Sequence, residues 1–536
     1  MSFNSYVFLL AFLPVTLLIY WWMQKKGKDR EAVLLLIFAS LIFCGASSIS
    51  GLLVLIISMA VNYLLALKMW SKCDGCEAVH GTCETAQIEN VASYEKNRAT
   101  GATNGEANKK YIIAGVIFNI TLLSLFKYGP LFIPIIGDAV TAPGISFYTF
   151  CEIAFLVEVY RGCVGKLSVR EYSFIITFFP KMIQGPITLP SDLINQKAPK
   201  SLGWEKIYRL LLLLAFGMFK KVIIADTLGR AVNFGFDSLN SMHTGEALVI
   251  MLSYTLQLYF DFSGYCDMAI AIAGLFGYDL PVNFNSPYKA VNIDDFWKRW
   301  HITLTRFFTK YIYIPLGGNR KGVLRTYINF LIIFLISGLW HGAGWQFIIW
   351  GLMHGVLYVA TRMVQKRKEG RMVQKATGSE MLQNADTKGI LQDAEPEKMK
   401  QNKFIKALKV FLTFLYVNIA WVFFRAPSVK DAVHLFKDMA ECWFPRFNKD
   451  LANCFNIDEF WYVIKILHLD RWKYGIYILM FVILIVCLIL VFFAPTALEF
   501  TKKCKINVLT TVVMAVLFAW CILSFEGVAT YLYVNF

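Results

Sequence analysis

The sequence predicts an all-α protein that crosses a membrane many times. Of its 536 residues, 57% are hydrophobic and only 17% are charged, against about 25% charged in soluble proteins. Mean hydropathy is +0.52. The apolar residues also gather into runs near the roughly 20 residues that a helix needs to cross a bilayer. These features exclude a disordered chain, a collagen-like fibre and an ordinary cytosolic enzyme. The whole chain, 1–536, is expected to form a single membrane domain.

The apolar runs are 6–22, 32–45, 49–67, 111–127, 145–160, 207–224, 247–278, 327–340, 345–363, 404–424, 473–494 and 506–533, about a dozen in all. The first has no basic residues before it and no small-residue cleavage site after it, so it reads as a retained helix rather than a signal peptide. The run 247–278 is too long for one straight span and predicts a span plus a re-entrant or tilted piece. Within 172–190, Pro180, Lys181, Gln184, Gly185 and Pro186 would break a helix. Irregular backbone survives at membrane depth only where protein or a water-filled cavity covers it, so this segment predicts a re-entrant element facing an internal cavity. Segment 283–322 interleaves Lys289, Lys298, Arg299, Arg306 and Lys310 with Trp297, Trp300, Phe307, Phe308 and Tyr311. That mixture predicts amphipathic helices lying at the cytoplasmic interface.

Orientation follows the basic residues. Lys25, Lys26, Lys28 and Arg30 follow the first span and place that loop in the cytoplasm, with the N-terminus outside. Two spans later, the charged loop 68–110 is cytoplasmic as well. The stretch 364–406, rich in Lys, Arg, Glu and Gln, is expected to be a mobile cytoplasmic loop. The short repeat RMVQK at 362–366 and 371–375 is a local duplication. Net charge is +16. Its expected partner is anionic membrane lipid rather than nucleic acid, for which there is no binding module.

Twelve cysteines in a chain of this length do not make a disulfide scaffold. Cys44, Cys151, Cys266 and Cys487 sit in apolar runs, where a thiol packs as a small hydrophobe. In the 68–110 loop, Cys73, Cys76, His80 and Cys83 have the spacing of a structural zinc site, or are simply thiols in a polar loop.

Ionisable residues inside apolar segments are functional candidates by default. His341 lies in SGLWHGAGW, at the end of an apolar run, between Trp340 and Trp345 and among Gly338, Gly342 and Gly344. Imidazole titrates near pH 6.5 and can serve there as a general base. It could equally be a packing histidine. His301, in DFWKRWHITLTRFF, reads as a second functional histidine or as an interfacial one. His354 is expected to pack or to orient a neighbour. Asp261 and Asp267, in LYFDFSGYCDMAIAIAG, could line a path, orient a histidine or be structural. There is no G-x-S-x-G nucleophile elbow, P-loop or dinucleotide fingerprint. That favours histidine-assisted direct transfer over a covalent serine intermediate.

The runs YFDFSGYCDMA (259–269), NFNSPYKAVNIDDFWKRWHITLTRFFTKYIYIPLGGNRKG (283–322) and SGLWHGAGWQFIIWGLMHG (337–355) closely resemble the membrane-bound O-acyltransferase family, and within it the bacterial alginate O-acetyltransferase branch. GISFYTFCEIAFLVEVYRG (144–162), FFPKMIQGPI (178–187) and NIAWVFFRA (418–426) extend the match. The resemblance implies a ring of about 11–12 helices, with re-entrant and interfacial pieces, around a central tunnel. His341 matches the family's near-invariant histidine, the expected base, and His301 matches its second histidine. Lys298, Arg299, Trp300 and Asn283, from the same block, are assigned to binding the donor. Asp261 and Tyr259 also match motif positions, without separate roles. Cys151 stands where relatives often carry Gln, and the 73–83 cluster has no counterpart.

The function implied is transfer of an acetyl group from a cytoplasmic thioester, most simply acetyl-CoA as cosubstrate, with no tightly bound cofactor and no metal. The acceptor would be a cell-surface or exported polysaccharide, reached directly or through an extracytoplasmic partner acetyltransferase, at the bacterial inner membrane. Two readings compete: D-alanyl transfer to teichoic acid from a carrier-protein thioester, and a transporter using Asp261 and Asp267 on an ion path.

Overall fold

The computed structural model describes residues 1–71, 105–132, 142–239, 242–377, 402–441, 447–457 and 474–525, with a few single positions between 458 and 473. Among these, every regular element is helical. The Cys73, Cys76, His80 and Cys83 pattern lies outside the described residues.

The first half builds one bundle. A π-helical turn, Val7–Phe12, leads into α1 (Leu13–Lys25), followed by α2 (Asp29–Gly45), α3 (Ile49–Trp70), α4 (Gly105–Phe132), α5 (Ile145–Tyr160) and α6 (Val169–Thr177). Side chains supply several of the caps that helix starts need. Ser48 Oγ accepts from Gly51 N at 3.0 Å, and Ser168 with Glu171 forms a capping box at α6. In a membrane the cohesion between helices comes from packing and buried hydrogen bonds rather than from water exclusion. Here Ser58 Oγ of α3 donates to Glu152 Oε2 of α5 at 2.5 Å, and Asn119 Nδ2 of α4 donates to Asn62 Oδ1 of α3 at 2.6 Å.

After α6 the chain breaks as expected of a re-entrant element. A four-residue turn of helix, α7 (Phe179–Met182), precedes extended chain to Pro190, and residues 178–190 are all buried. Protein therefore covers the irregular backbone.

The central unit is α8 (Trp204–Met218), a π-helical segment Phe219–Ala225, α9 (Asp226–Asp237) and α10 (Thr244–Leu275). The run 247–278 thus departs from expectation, because α10 is one continuous helix of 32 residues. It avoids lipid by being buried on nearly every side, and its carboxylates are paired. Lys220 meets Asp267 at 2.6 Å, and Lys221 meets both Asp261 and Asp226 at 2.7 Å. Both lysines come from the π-helical turn, which carries them side by side toward α10.

Segment 283–322 holds α11 (Ile293–Trp297), α12 (Ile302–Phe308) and a π-helical turn, Thr309–Tyr313. The aromatic face of this segment packs into protein, since Trp297, Trp300, Phe307 and Phe308 are buried in the main hydrophobic core. Aromatic and basic residues alternate in both arrangements, so their pattern alone does not distinguish a lipid-facing helix from one inserted in protein.

Two long helices follow, α13 (Val323–His341) and α14 (Trp345–Thr377), then α15 (Lys403–Arg425), α16 (Val429–Glu441), α17 (Gly475–Phe492), α18 (Ala497–Lys503) and α19 (Val508–Leu523). α14 runs on through Thr377, so the first part of the expected loop 364–406 is helical. α13 and α14 form a hairpin whose backbones nearly touch. A Cβ on Gly338 would sit 2.4 Å from the Phe347 carbonyl oxygen, and one on Gly351 would sit 2.4 Å from that of Phe334.

Among the described residues, seven helical stretches are long and apolar enough to cross a membrane: Val7–Lys25, Ile49–Trp70, Asn108–Gly129, Val323–His341, Trp345–Lys368, Lys403–Arg425 and Gly475–Phe492. Other expected spans are shorter helices, with 17 residues in α2, 16 in α5 and 16 in α19. The protein is a polytopic, all-helical membrane protein.

Candidate active site

The site lies where α12, α13, α14 and α15 meet. His341 is the last residue of α13, after which Gly342 is extended. Its ring lies 4.6 Å from Trp340, 5.1 Å from Trp350 and 4.9 Å from Phe424, centroid to centroid. The end of α13 is held from outside. The Lys127 ammonium donates to the Trp340 carbonyl and the Tyr128 hydroxyl to the Leu339 carbonyl. Two of the carbonyls that every helix leaves unmatched at its C-terminus are thereby satisfied beside the histidine.

His301 reaches the same place from α12. It occupies the N-cap position with φ 45°, in the left-handed region. Such a conformation costs of order 1–3 kcal/mol and is kept only where surrounding contacts over-determine it. Those contacts come from Asn283. Its backbone carbonyl accepts from Ile302 N at 3.0 Å. Its side-chain oxygen accepts from Thr303 N at 3.2 Å and from Thr303 Oγ1 at 2.8 Å. The same oxygen lies 3.1 Å from His301 Nδ1. An amide oxygen can only accept, so Nδ1 carries the proton and the lone pair lies on Nε2.

The structure brings the two histidines together around one indole. Trp340 is 6.3 Å from His301 and adjoins His341. Phe150 of α5 stacks on the other side of Trp340 at 5.1 Å. His301, His354 and Lys127 all lie within electrostatic reach of His341. His354, fully buried, packs against Trp350 at 5.0 Å and Trp297 at 5.2 Å.

A cavity of about 670 Å³ approaches from the side of the basic loops. Its inner wall includes Trp297, Phe334 and Ser337, and Ser337 is one turn before His341 on α13. Its mouth carries Lys298, Arg320, Lys321 and Arg362. Asp294 sits among these cations, 2.8 Å from Lys298 and 3.4 Å from Arg362. Burial pushes its carboxyl up, but Lys298 and Arg362 more than offset this and hold it below the ordinary carboxylate range.

Of the four residues assigned to donor binding, Lys298 lines this cavity. Arg299 instead pairs with Asp295 at 2.7 Å, Trp300 is buried against Trp421 at 5.0 Å, and Asn283 holds His301. Asp261 and Asp267 are ion-paired with Lys221 and Lys220. Sequence reasoning missed Lys127 and Tyr128. The signal was available, since Lys127 is a charge at the edge of an apolar run.

Replacing Asn283 with Ala removes the acceptor shared by His301 and Thr303. Losing buried hydrogen bonds of this kind costs about 1–3 kcal/mol, so transfer is expected to fall roughly 10–100-fold. Asn283→Asp, which keeps an oxygen there, should retain more. Turnover by the purified protein checks this, and full activity in the alanine variant would remove Asn283 from the site.

Comparison with known proteins identifies the family. The model of the family described as MBOAT, membrane-bound O-acyltransferase family, matches residues 6–371. The chain is 35% identical over 476 residues to the peptidoglycan O-acetyltransferase of Helicobacter pylori, covering 82% of this chain and 79% of that one. It is 31% identical over 454 residues to the probable alginate O-acetylase of Pseudomonas aeruginosa, covering 82% and 75%. To the teichoic acid D-alanyltransferase of Bacillus subtilis it is 28% identical over 239 residues, covering 42% and 59%. With a family match across most of its length, the chain belongs to the membrane-bound O-acyltransferase family and is an O-acyltransferase.

Proposed function

We propose that this O-acyltransferase moves an acetyl group from a cytoplasmic thioester, most simply acetyl-CoA, to a hydroxyl of a cell-surface or exported polysaccharide. The acceptor is reached directly or through an extracytoplasmic partner acetyltransferase, and the enzyme works in the bacterial inner membrane. The observation that carries this reading is the pair of buried histidines around Trp340, with His341 one helical turn beyond Ser337 in the wall of a cavity that has a basic mouth and an apolar interior. A phosphorylated carrier suits that mouth, because Arg and Lys bind phosphate by charge-assisted hydrogen bonds. The apolar interior suits the thioester arm. The broader match to acetyltransferases than to the D-alanyltransferase supports acetyl as the acyl group.

In the proposed reaction, His341 accepts the proton of the acceptor hydroxyl as its oxygen attacks the thioester carbonyl. The tetrahedral intermediate collapses with cleavage of the C–S bond. The leaving thiolate takes the proton back from His341, so histidine is regenerated and charge is conserved. His301, with its lone pair on Nε2 and its ring fixed by Asn283, orients the reacting groups. Lys298 and Arg362 hold the donor's phosphates. No resident metal or prosthetic group takes part.

The test is chemical. Alkali-labile acids are released from surface glycans of cells with and without the protein and identified by mass spectrometry. Protein-dependent acetate is the expected result. D-alanine in its place would move the protein to the teichoic-acid reaction, and no protein-dependent ester would overturn acyl transfer to a glycan.

A further inference from the structure

Lys181 is a buried lysine with no carboxylate partner among the described residues. Its side chain is only 3% exposed. It donates to Thr188 Oγ1 at 2.6 Å and lies 3.6 Å from Cys151 Sγ, both neutral groups. Three other buried or half-buried lysines behave differently. Lys220, Lys221 and Lys310 each meet a carboxylate at 2.6–2.9 Å. Taking an ammonium out of water costs several kcal/mol unless an opposite charge repays it, and an intramembrane ionisable residue is retained mainly where it serves a ligand or a pathway.

Two buried side chains on the same two elements carry unused donors. Gln184, one turn further along the re-entrant segment, is fully buried, and neither amide atom has a hydrogen-bond partner among the described residues. The same is true of the Tyr148 hydroxyl, one turn before Cys151 on α5. α5 and the re-entrant segment touch closely, since a Cβ on Gly144 would lie 2.4 Å from the Met182 carbonyl oxygen. Buried polar atoms without partners are rare, and a missing water, ion or ligand is the usual reason for them.

This cluster connects to the histidines. Next to Thr188, Ile187 N donates to Thr303 Oγ1 at 3.1 Å. Thr303 Oγ1 donates in turn to the Asn283 oxygen that faces His301. None of Lys181, Gln184 and Tyr148 lines the cavity on the side of the basic loops. With the 68–110 loop in the cytoplasm, α4 runs outward and α5 runs back inward. Cys151 and Lys181 then lie in the outer half, opposite the donor.

We propose that Lys181, Gln184 and Tyr148 form an acceptor subsite for a singly charged oxyanion, a carboxylate or a phosphodiester, borne by the chain that receives the acyl group. The proposal rests on the acyltransferase reading and adds the charge of the acceptor to it. The ammonium neutralises the anion, while the amide N–H and the phenol O–H complete its hydrogen bonds. The hydroxyl to be acylated then projects toward His301 and His341.

Binding tests this independently of catalysis. The purified full-length protein in detergent is titrated with a uronic-acid tetrasaccharide, with its carboxyl-reduced neutral counterpart and with a glycerol-phosphate trimer, reading thermal stabilisation. The expected result is saturable stabilisation by at least one charged probe and none by the neutral one. The apparent affinity should be at least tenfold weaker in Lys181→Met and in Gln184→Ala, and retained in Lys181→Arg. Whichever charged probe binds names the anion. His341→Ala should bind like wild type while losing transfer, so a failure of this subsite is distinguishable from a failure of the proposed reaction. Equal binding of charged and neutral probes, or undiminished binding in folded Lys181→Met and Gln184→Ala, would overturn the proposal.

Discussion

His341→Ala is expected to lower acyl transfer by roughly 10²–10⁴-fold, the usual worth of a general base, in a protein that still folds. The ring is buried, but it is small and sits at the terminus of α13, against three aromatic side chains. Truncation leaves a void there rather than a broken helix. His341→Gln keeps much of the volume and cannot act as a base. If positioning were the whole role of His341, the glutamine variant would recover most of the rate. If proton transfer is its role, both variants fail alike. Single-turnover transfer by protein of matched monodispersity separates these outcomes, and near wild-type rates in both variants would remove His341 from the chemistry.

The second large effect is expected at the crossing of α13 and α14. Gly338→Ala and Gly351→Ala each place a methyl group 2.4 Å from a backbone carbonyl oxygen of the facing helix. Neither backbone can move without moving its helix. Overpacking of this kind costs about 1–3 kcal/mol, and here the strain displaces the end of α13 that carries His341. Both variants should therefore lose thermal stability and most of their activity together. Gly355→Ala is the matched control. Its new methyl would meet the Phe334 Cβ at 3.1 Å and the Leu331 side chain at 3.3 Å, which calls for a shift of only a few tenths of an ångström, so it should lose much less. Equal melting temperatures for Gly338→Ala and Gly355→Ala would show that the hairpin is looser than its geometry implies.

The architecture was legible from the sequence because length and hydropathy act locally, residue by residue. The break at 178–190 was legible for the same reason, since two prolines and a glycine cannot continue a helix there. α10 was misread because the run is too long for one straight span in lipid, and nothing within 247–278 announces that other helices bury it on nearly every side. The partners of Asp261 and Asp267 lay out of sight for the same reason, since Lys221 is 40 residues from Asp261 in the chain. The aromatic face of segment 283–322 was illegible for a related reason, since periodicity shows that a helix has two faces but not what covers each.

The site was half legible. His341 and His301 stood out through their motifs. Asn283, assigned to the donor, instead fixes the tautomer of His301 through a contact spanning 18 residues. The aromatic ring set around His341 comes from α13, α14 and α15 and exists only once those helices pack.

One consequence follows from the placement of Ser337 and His341 on α13. A wall of the cavity and the proposed base belong to one rigid rod, clamped at its histidine end by Lys127 and Tyr128. In the proposed reaction, the depth to which a thioester enters would therefore be measured against the same body that carries the base, and α13 would act as a molecular ruler rather than a gate.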